Sequence, residues 1–178
     1  MAPGLAQLET LIPAGRIRAR VEELGRRIAA DYPERAGDPP LHLIGVLKGA
    51  VVFLSDLARA IGRDVSFDFL GVSSYGEAAE SSGEIRLTKD IEADIAGLDV
   101  LLVEDIVDTG LTVEWLRNHL QRRGPRSLRV ATLLDKPSRR LQAVVELFDI
   151  WAERVPNTPT YPPGGAQALL QQLQVPQP

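Results

Sequence analysis

Hydrophobic positions along the chain follow two periodicities, and their alternation predicts a protein of the α/β class. Residues 14–31 place Ile17, Val21, Leu24 and Ile28 on one helical face, with arginine and glutamate between them. Apolar runs without regular polar alternation are typical of strands that are buried on both faces of a parallel sheet. On this basis, or from partial alternation, strands are predicted at 41–47, 65–72, 84–87, 100–103, 128–134 and 144–148. Apolar residues at helical spacing follow the first and fourth of these strands. This alternation of strands and helices predicts a mostly parallel twisted sheet with helices on both faces.

Composition and charge narrow the class of protein. The length of 178 residues predicts one domain that can bury a full core, and 44% hydrophobic with 25% charged residues is ordinary for a soluble protein. The net charge of −4 argues against non-specific binding to nucleic acid, which needs a basic face. No cysteine is available for a disulfide, a thiolate nucleophile or a metal site. With no signal peptide and no apolar run of membrane-spanning length, a cytoplasmic location is expected, and His42 and His119 are interpreted as structural.

The most informative stretch is the end of the strand at 100–103 and the turn that follows it. Glu104 and Asp105 come directly after the apolar run, which predicts two carboxylates at the carboxyl end of a strand, where open α/β sheets bind ligands. Residues 108–112 are short and polar around one glycine, and helical spacing begins at Val113. Such a turn presents backbone N–H groups and a helix N-terminus to a phosphate, although no Gly-Lys-Ser/Thr of a P-loop follows. The simpler alternative is that the acidic turn only caps the helix.

This stretch resembles the 5-phosphoribosyl-1-pyrophosphate (PRPP) motif of the purine phosphoribosyltransferases. It reads Glu104-Asp105-Ile106-Val107-Asp108-Thr109-Gly110-Leu111-Thr112. With matches elsewhere, about residues 10–147 are similar to the bacterial hypoxanthine-guanine phosphoribosyltransferase family of type I fold. The resemblance implies a Mg²⁺-dependent transfer of 5-phosphoribose from PRPP to hypoxanthine or guanine in purine salvage, giving IMP or GMP and pyrophosphate. It further implies a homodimer or homotetramer, with PRPP, a 6-oxopurine and pyrophosphate as small-molecule partners and no membrane or nucleic-acid partner.

The resemblance also implies roles for individual residues. Asp108 is implied as the general base that takes the purine ring proton, and Lys136 as the donor to the exocyclic oxygen of a 6-oxopurine. Glu104 and Asp105 are implied to hold the ribose diol and the Mg²⁺ ion. The residues implied to bind PRPP are Lys48, Gly49, Ser74, Tyr75, Glu104, Asp105, Asp108, Thr109, Gly110, Leu111, Thr112 and Arg140.

Some of these segments have simpler interpretations when they are taken alone. Lys48 and Gly49 then indicate only a tight turn with a solvated charge, and Lys136 belongs only to a basic turn before a proline. The resemblance instead implies that the backbone amides at 48–49 bind pyrophosphate and that the Leu47–Lys48 peptide bond is cis. The polar loop at 73–83 is predicted to be a flexible lid over the reacting centre, with an ordinary hairpin loop as the alternative.

The resemblance ends before the C-terminal part of the chain. The stacking aromatic residue, the glycine-rich turn, the second metal aspartate and the pyrophosphate arginine expected there are not recognisable. Residues 155–178 carry no charge, so we predict a phosphoribosyltransferase domain at 1–154 and an uncharged Pro/Gln-rich tail that forms loop or disorder. A single reading-frame shift near Phe148 would explain all these losses, and true divergence is the alternative. Trp151 or Tyr161 is a candidate replacement for the stacking residue.

Two other functions are left open by the sequence. A non-catalytic PRPP- or nucleotide-binding regulator on the same scaffold would bind PRPP without releasing pyrophosphate, and the altered tail favours it. A phosphoribosyltransferase for another base, such as xanthine or a pyrimidine, is the second alternative, although a pyrimidine enzyme would not need Lys136. The choice among hypoxanthine, guanine and xanthine depends on the tail motif that is missing.

Overall fold

A computed structural model describes residues 10–74, 85–136 and 150–154, with Ser74 and the last range as backbone only. In these ranges the helices are α1 (Ala14–Asp31), α2 (Ala50–Ile61) and α3 (Leu111–Gln121). The strands are β1 (Leu41–Leu47), β2 (Val65–Ser74), β3 (Ile85–Lys89), β4 (Asp99–Val107), β5 (Ser127–Asp135) and β6 (Ile150–Arg154). No helix in the described part of the chain is both long enough and apolar enough to span a membrane.

The strands form one sheet in the order β3-β2-β1-β4-β5-β6. Strand β3 is antiparallel to β2, and every other neighbouring pair is parallel, which confirms the predicted mostly parallel sheet. The chain moves outward from β1 in one direction to β2 and, after returning to β4, in the other direction to β5. The boundary between β1 and β4 is therefore the topological switch point, and the crevice beyond the carboxyl ends of these strands is where such sheets bind ligands.

Hydrophobic side chains pack on both faces of the sheet, as the sequence predicted. On one face, α1 and α2 contribute Leu24, Ile28, Leu54 and Leu57 to a buried cluster. On the other face, α3 contributes Val113, Leu116 and Leu120 together with Ile91 and Ile95. Neighbouring strand residues belong to opposite clusters, as Leu43 and Ile44 do, because successive side chains of a strand point to opposite faces. Burying each large aliphatic side chain contributes about 1.5–3 kcal/mol, so both layers are needed to hold the sheet.

The ranges of β2, β3 and β5 differ from the predicted ones by one or two residues at their ends, and β4 differs most. The predicted strand at 100–103 continues to Val107, so Glu104 and Asp105 lie inside β4 rather than after it. The reason is that main-chain pairing with β5 does not require apolar side chains, and it continues through Glu104 and Val107. The edge strand β6 was not predicted, and the predicted strand at 144–148 lies outside the described residues.

Helices α1 and α2 approach each other most closely at Gly25. A Cβ atom built on Gly25 would lie 2.4 Å from the backbone carbonyl carbon and oxygen of Ala60. Backbone atoms cannot move aside as the end of a flexible side chain can. The absence of a side chain at Gly25 is therefore what permits this helix contact.

We expect the substitution Gly25→Ala to destabilise the fold, although alanine is the better helix former. The clash should cost about 1–3 kcal/mol, which outweighs the gain of about 0.5–1 kcal/mol from removing a glycine inside a helix. Urea unfolding followed by circular dichroism would measure the change. Gly15→Ala is the matched control, because Gly15 lies in the same helix with nothing within 4 Å of a built Cβ. An equal response of the two variants would contradict the close-contact explanation.

The amino-terminal edge of the sheet is held by an ion-pair network next to a cavity of about 500 Å³. Arg126 donates from Nε to Asp99 Oδ1 at 3.1 Å and from Nη2 to Asp99 Oδ2 at 2.5 Å. The same Nη2 lies 3.3 Å from Asp38 Oδ2, and Ser127 Oγ donates to Asp99 at 2.6 Å. These contacts connect the starts of β4 and β5 to the loop before β1. The hydrogen bond from Arg126 and, to a smaller extent, the one from Ser127 lower the pKa of Asp99, although burial of the carboxyl group opposes this shift.

This pKa shift predicts a pH-dependent contribution to stability. Because folding lowers the pKa of Asp99, the contribution is complete above the unfolded value of about 3.9 and is lost as the pH falls through the folded value. The variant Asp99→Asn should therefore lose less unfolding free energy than the parent when the pH is lowered from about 7 to about 3. Urea denaturation at the two pH values would measure this. Parallel loss in the two proteins would show that Asp99 contributes nothing to the acid response.

Candidate functional site

The crevice between β1 and β4 brings together two segments that are far apart in sequence. The turn after β1 contains Lys48 and Gly49, and Asp105 lies in the last part of β4. A Cβ built on Gly49 would lie 2.3 Å from Asp105 Oδ2 and 2.7 Å from its carboxyl carbon. The Leu47–Lys48 peptide bond is cis, as expected. Glycine at position 49 is therefore required for the Asp105 carboxylate to lie against the turn.

The two adjacent carboxylates of β4 have different environments. Asp105 Oδ1 accepts a hydrogen bond from the Ile106 amide at 3.0 Å. Glu104 Oε2 is buried and has no hydrogen-bond partner in the described part of the chain. Burial, and after it the charge and hydrogen bond of Asp105, raises the pKa of Glu104 well above its usual range. A buried acceptor of this kind fits a hydroxyl donor or a cation that arrives with a ligand.

The same two residues are the predicted metal ligands. Among the described residues, no group of three or more acidic or histidine side chains is arranged to hold a metal ion. Mg²⁺ prefers six oxygen ligands and usually combines one or two carboxylates with water and substrate phosphates. The pair therefore fits a Mg²⁺ ion that completes its coordination with substrate and water oxygens.

The turn at 108–112 leads from β4 into α3. Gly110 has a φ of 85°, a conformation that glycine adopts easily, and α3 begins at Leu111. Thr109 Oγ1 accepts from the Leu111 amide only at 3.5 Å, and the N-cap position Gly110 has no side chain. Side-chain capping by Thr109 is therefore weak. The first-turn amides and the positive end of the helix dipole are suited to an anion.

Lys136 lies directly after β5, next to the end of β4. Its amide donates to the Val107 carbonyl at 3.0 Å, and only 3% of the residue is exposed. Its Nζ lies 3.9 Å from Asp108 Oδ2. The β4–β5 pairing thus brings together the two residues for which the sequence predicted roles in proton transfer and base binding.

Several predicted site residues cannot be compared with this geometry. Ser74 ends β2, but only its backbone is described, as is also true of Trp151 in β6. Tyr75, Arg140 and Tyr161 lie outside the described residues, together with most of the predicted lid at 73–83 and the tail. Their roles stay predictions.

Sequence reasoning did not single out Asp135, a buried charged residue at the same edge. It is 6% exposed, ends β5 and is in register with Val107 of β4. The sequence signal that could have identified Asp135 is the apolar run at 128–134 directly before it. The same pattern, an apolar run followed by a carboxylate, indicated Glu104. Asp135 is therefore a further buried charge beside Lys136.

The histidines have local contacts of a structural kind. His42 is buried in β1, where Nδ1 lies 2.8 Å from Ser66 Oγ, and burial lowers the pKa of its ring. His119 Nε2 lies 3.2 Å from Asp90 Oδ1, and its ring stacks on Trp115. His42 thus joins β1 to β2, and His119 joins α3 to the segment that follows β3.

Comparisons with known proteins agree with this geometry. The phosphoribosyl transferase domain family matches residues 15–155. A hypoxanthine-guanine phosphoribosyltransferase of Mycobacterium avium is 54% identical over 132 residues, which are 73% of this chain and 65% of that protein. The Mycobacterium bovis protein of the same name is 52% identical over 146 residues, 79% of this chain and 72% of its own length.

A solved structure shows the same architecture. The crystal structure of a hypoxanthine-guanine phosphoribosyltransferase from Bacillus anthracis superposes with a TM-score of 0.74 at 38% identity, covering 84% of this chain and 85% of that one. The predicted fold class and the resemblance stated from the motifs are both confirmed. This chain belongs to the phosphoribosyl transferase domain family.

Proposed function

We propose that this protein transfers 5-phosphoribose from PRPP to hypoxanthine or guanine, giving IMP or GMP and pyrophosphate in purine salvage. The observation that carries the proposal is that the carboxyl end of β4 places Asp105 against Gly49 of the turn after β1, and Asp108 beside Lys136 after β5. Groups for an anion, for a sugar and for a base are all present there. The names of the Mycobacterium and Bacillus relatives support the same substrates.

PRPP would lie across the ends of β1 and β4. The amides of 108–112 at the start of α3, with the Thr109 and Thr112 hydroxyls, would hold the 5-phosphate. The amides of Lys48 and Gly49 would hold the pyrophosphate. Ser74, Tyr75, Leu111 and Arg140 are proposed contacts from the motif alone. Glu104 and Asp105 would accept hydrogen bonds from the ribose diol, which would give the buried Glu104 Oε2 its donor.

The carboxylates of β4 would also hold Mg²⁺. When bound, the metal supplies charge neutralisation to the departing pyrophosphate. As the pyrophosphate leaves, the anomeric carbon becomes positively charged, and the carboxylates beside the sugar stabilise that charge. A purine ring nitrogen then bonds to the anomeric carbon, and Asp108 takes the ring proton.

Lys136 would select the base. A lysine ammonium only donates hydrogen bonds, so it pairs with the 6-oxo group of hypoxanthine or guanine and leaves the amino group of adenine opposite a second donor. Its low exposure supports this role, because an unmatched group in a buried site is strongly disfavoured. A pyrimidine enzyme would not require this lysine, whereas xanthine stays an alternative base.

One assay tests the proposal against its rivals. The full chain is mixed with PRPP, Mg²⁺ and each of hypoxanthine, guanine, xanthine, adenine and uracil, and pyrophosphate release is measured. We expect release with hypoxanthine, guanine or both. PRPP binding without release for any base would indicate the non-catalytic regulator instead, and release with xanthine or uracil alone would indicate an enzyme for another base. A homodimer or homotetramer is proposed on the resemblance alone, and a cytoplasmic location on the features of the sequence alone.

A further inference from the structure

We propose that Lys136 is a positioning residue for Asp108 as well as a contact for the base, and that the 6-oxo group of the incoming purine releases Asp108 from it. The inference rests on the proposed function. It makes the 6-oxo group a trigger for proton transfer in addition to a feature that is recognised.

The position of Lys136 relative to Asp108 is determined by the sheet. The Lys136 amide is bonded to the carbonyl of Val107, the residue directly before Asp108, and Val107 is in register with Asp135. A backbone hydrogen bond therefore fixes Lys136 next to the residue that precedes Asp108. Their approach does not depend on a flexible loop.

The distance between the Lys136 ammonium and the Asp108 carboxylate allows an ion pair that a bound base can replace. Lys136 Nζ lies 3.9 Å from Asp108 Oδ2, which is close enough for an ion pair but longer than a hydrogen bond. The Lys136 side chain is 4% exposed, and an ammonium in such a position needs a nearby negative charge. The Asp108 side chain is 38% exposed, so a ligand can reach it, whereas the Lys136 side chain is almost fully buried.

A 6-oxopurine offers Lys136 a better hydrogen-bond acceptor. When the ammonium turns to the 6-oxo group, it forms a hydrogen bond of about 2.7–3.2 Å and moves away from Oδ2. Oδ2 then faces the purine ring N–H. As the bond from ring nitrogen to the anomeric carbon forms, the bond from that carbon to pyrophosphate breaks, its electron pair leaves with pyrophosphate, and the ring proton passes to Asp108.

The test compares hypoxanthine with purine that lacks the 6-oxygen, using wild type and Lys136→Met. For hypoxanthine, the variant should lose about ten- to a hundredfold in kcat/KM, since a charged hydrogen bond is removed. For unsubstituted purine, the variant should have a higher kcat than wild type, because the Lys136 ammonium no longer holds Asp108. Lys136→Arg retains the charge and should keep the low kcat for purine. If Lys136→Met leaves the purine kcat unchanged or lowers it, Lys136 acts on the base alone and the inference is wrong.

A second measurement does not depend on turnover. Unfolding free energies are measured for wild type, Lys136→Met, Asp108→Asn and the double variant, and we expect clearly non-additive losses. Additive losses would show that the two side chains do not interact and would overturn the inference. If wild type releases no pyrophosphate from hypoxanthine, guanine or any other base, the proposed function fails, and this cycle still tests the ion pair separately.

Discussion

Replacing Asp108 by asparagine is expected to lower kcat by about 10²–10⁴-fold, the usual range for loss of a general base. The amide has nearly the same size as the carboxylate, but it cannot accept the purine ring proton. The affinity for PRPP should change little, because the proposed phosphate contacts are mostly backbone amides at the start of α3. Pyrophosphate release measures kcat, and isothermal titration with PRPP measures the affinity.

A matched control separates this effect from a general loss of charge. Asp56→Asn makes the same chemical change at an exposed position of α2, where Asp56 pairs only with Arg59 in the described structure. We expect that variant to retain full turnover. Urea unfolding of Asp108→Asn would check the fold, since Lys136 loses a charge partner. Turnover of Asp108→Asn within a few-fold of wild type would rule out the proton-transfer role.

The second large effect is expected from Gly49→Ala. The added methyl group would occupy the space of the Asp105 carboxylate, which lies 2.3 Å from the built Cβ position. Either Asp105 or the turn that is proposed to hold the pyrophosphate must then move. A displacement of about 1 Å at a reacting centre lowers activity by about 10²-fold, so we expect a loss of that size in kcat/KM for PRPP.

A double-mutant cycle shows whether the effect passes through Asp105. In the Asp105→Ala background the carboxylate is absent, so Gly49→Ala should add little further loss. Val52 is exposed in the first turn of α2, the helix that begins directly after Gly49. The variant Val52→Ala therefore controls for changes in α2 and should leave kcat/KM unchanged. An equal effect of Gly49→Ala in both backgrounds would show that position 49 acts through the backbone turn and that the contact with Asp105 is incidental.

The sequence predicted the elements well because their signals are local. The bounds of α1 and β1 agree with the spacing of apolar residues, since in these segments burial and propensity favour the same structure. The end of β4 was predicted too early because Glu104 and Asp105 are polar, and side-chain hydrophobicity does not report main-chain pairing with β5. The edge strand β6 is short and mixed in character, so hydrophobic pattern alone could not distinguish it.

The site was predicted as a set of residues, but its internal contacts were not. The family resemblance implied that Gly49, Asp105, Asp108 and Lys136 belong to one site. It could not show that a Cβ at Gly49 meets Asp105, or that Lys136 lies beside Asp108. Both contacts depend on which strands are neighbours and on their register, which are properties of the assembled sheet.

The pairing of β1 with β4 has a consequence for how activity appears during folding. His42 pairs with Val100 and Gly45 with Val103, so the two central strands join segments that are separated by two other strands and a helix along the chain. Parallel contacts between such distant segments form slowly because a long loop must first be closed. A nascent chain that has reached only β3 contains the turn proposed to bind pyrophosphate but neither carboxylate of β4, so the proposed site is incomplete. Recovery of turnover during refolding would therefore report the moment at which the centre of the sheet closes, and PRPP would stabilise only chains that have passed it.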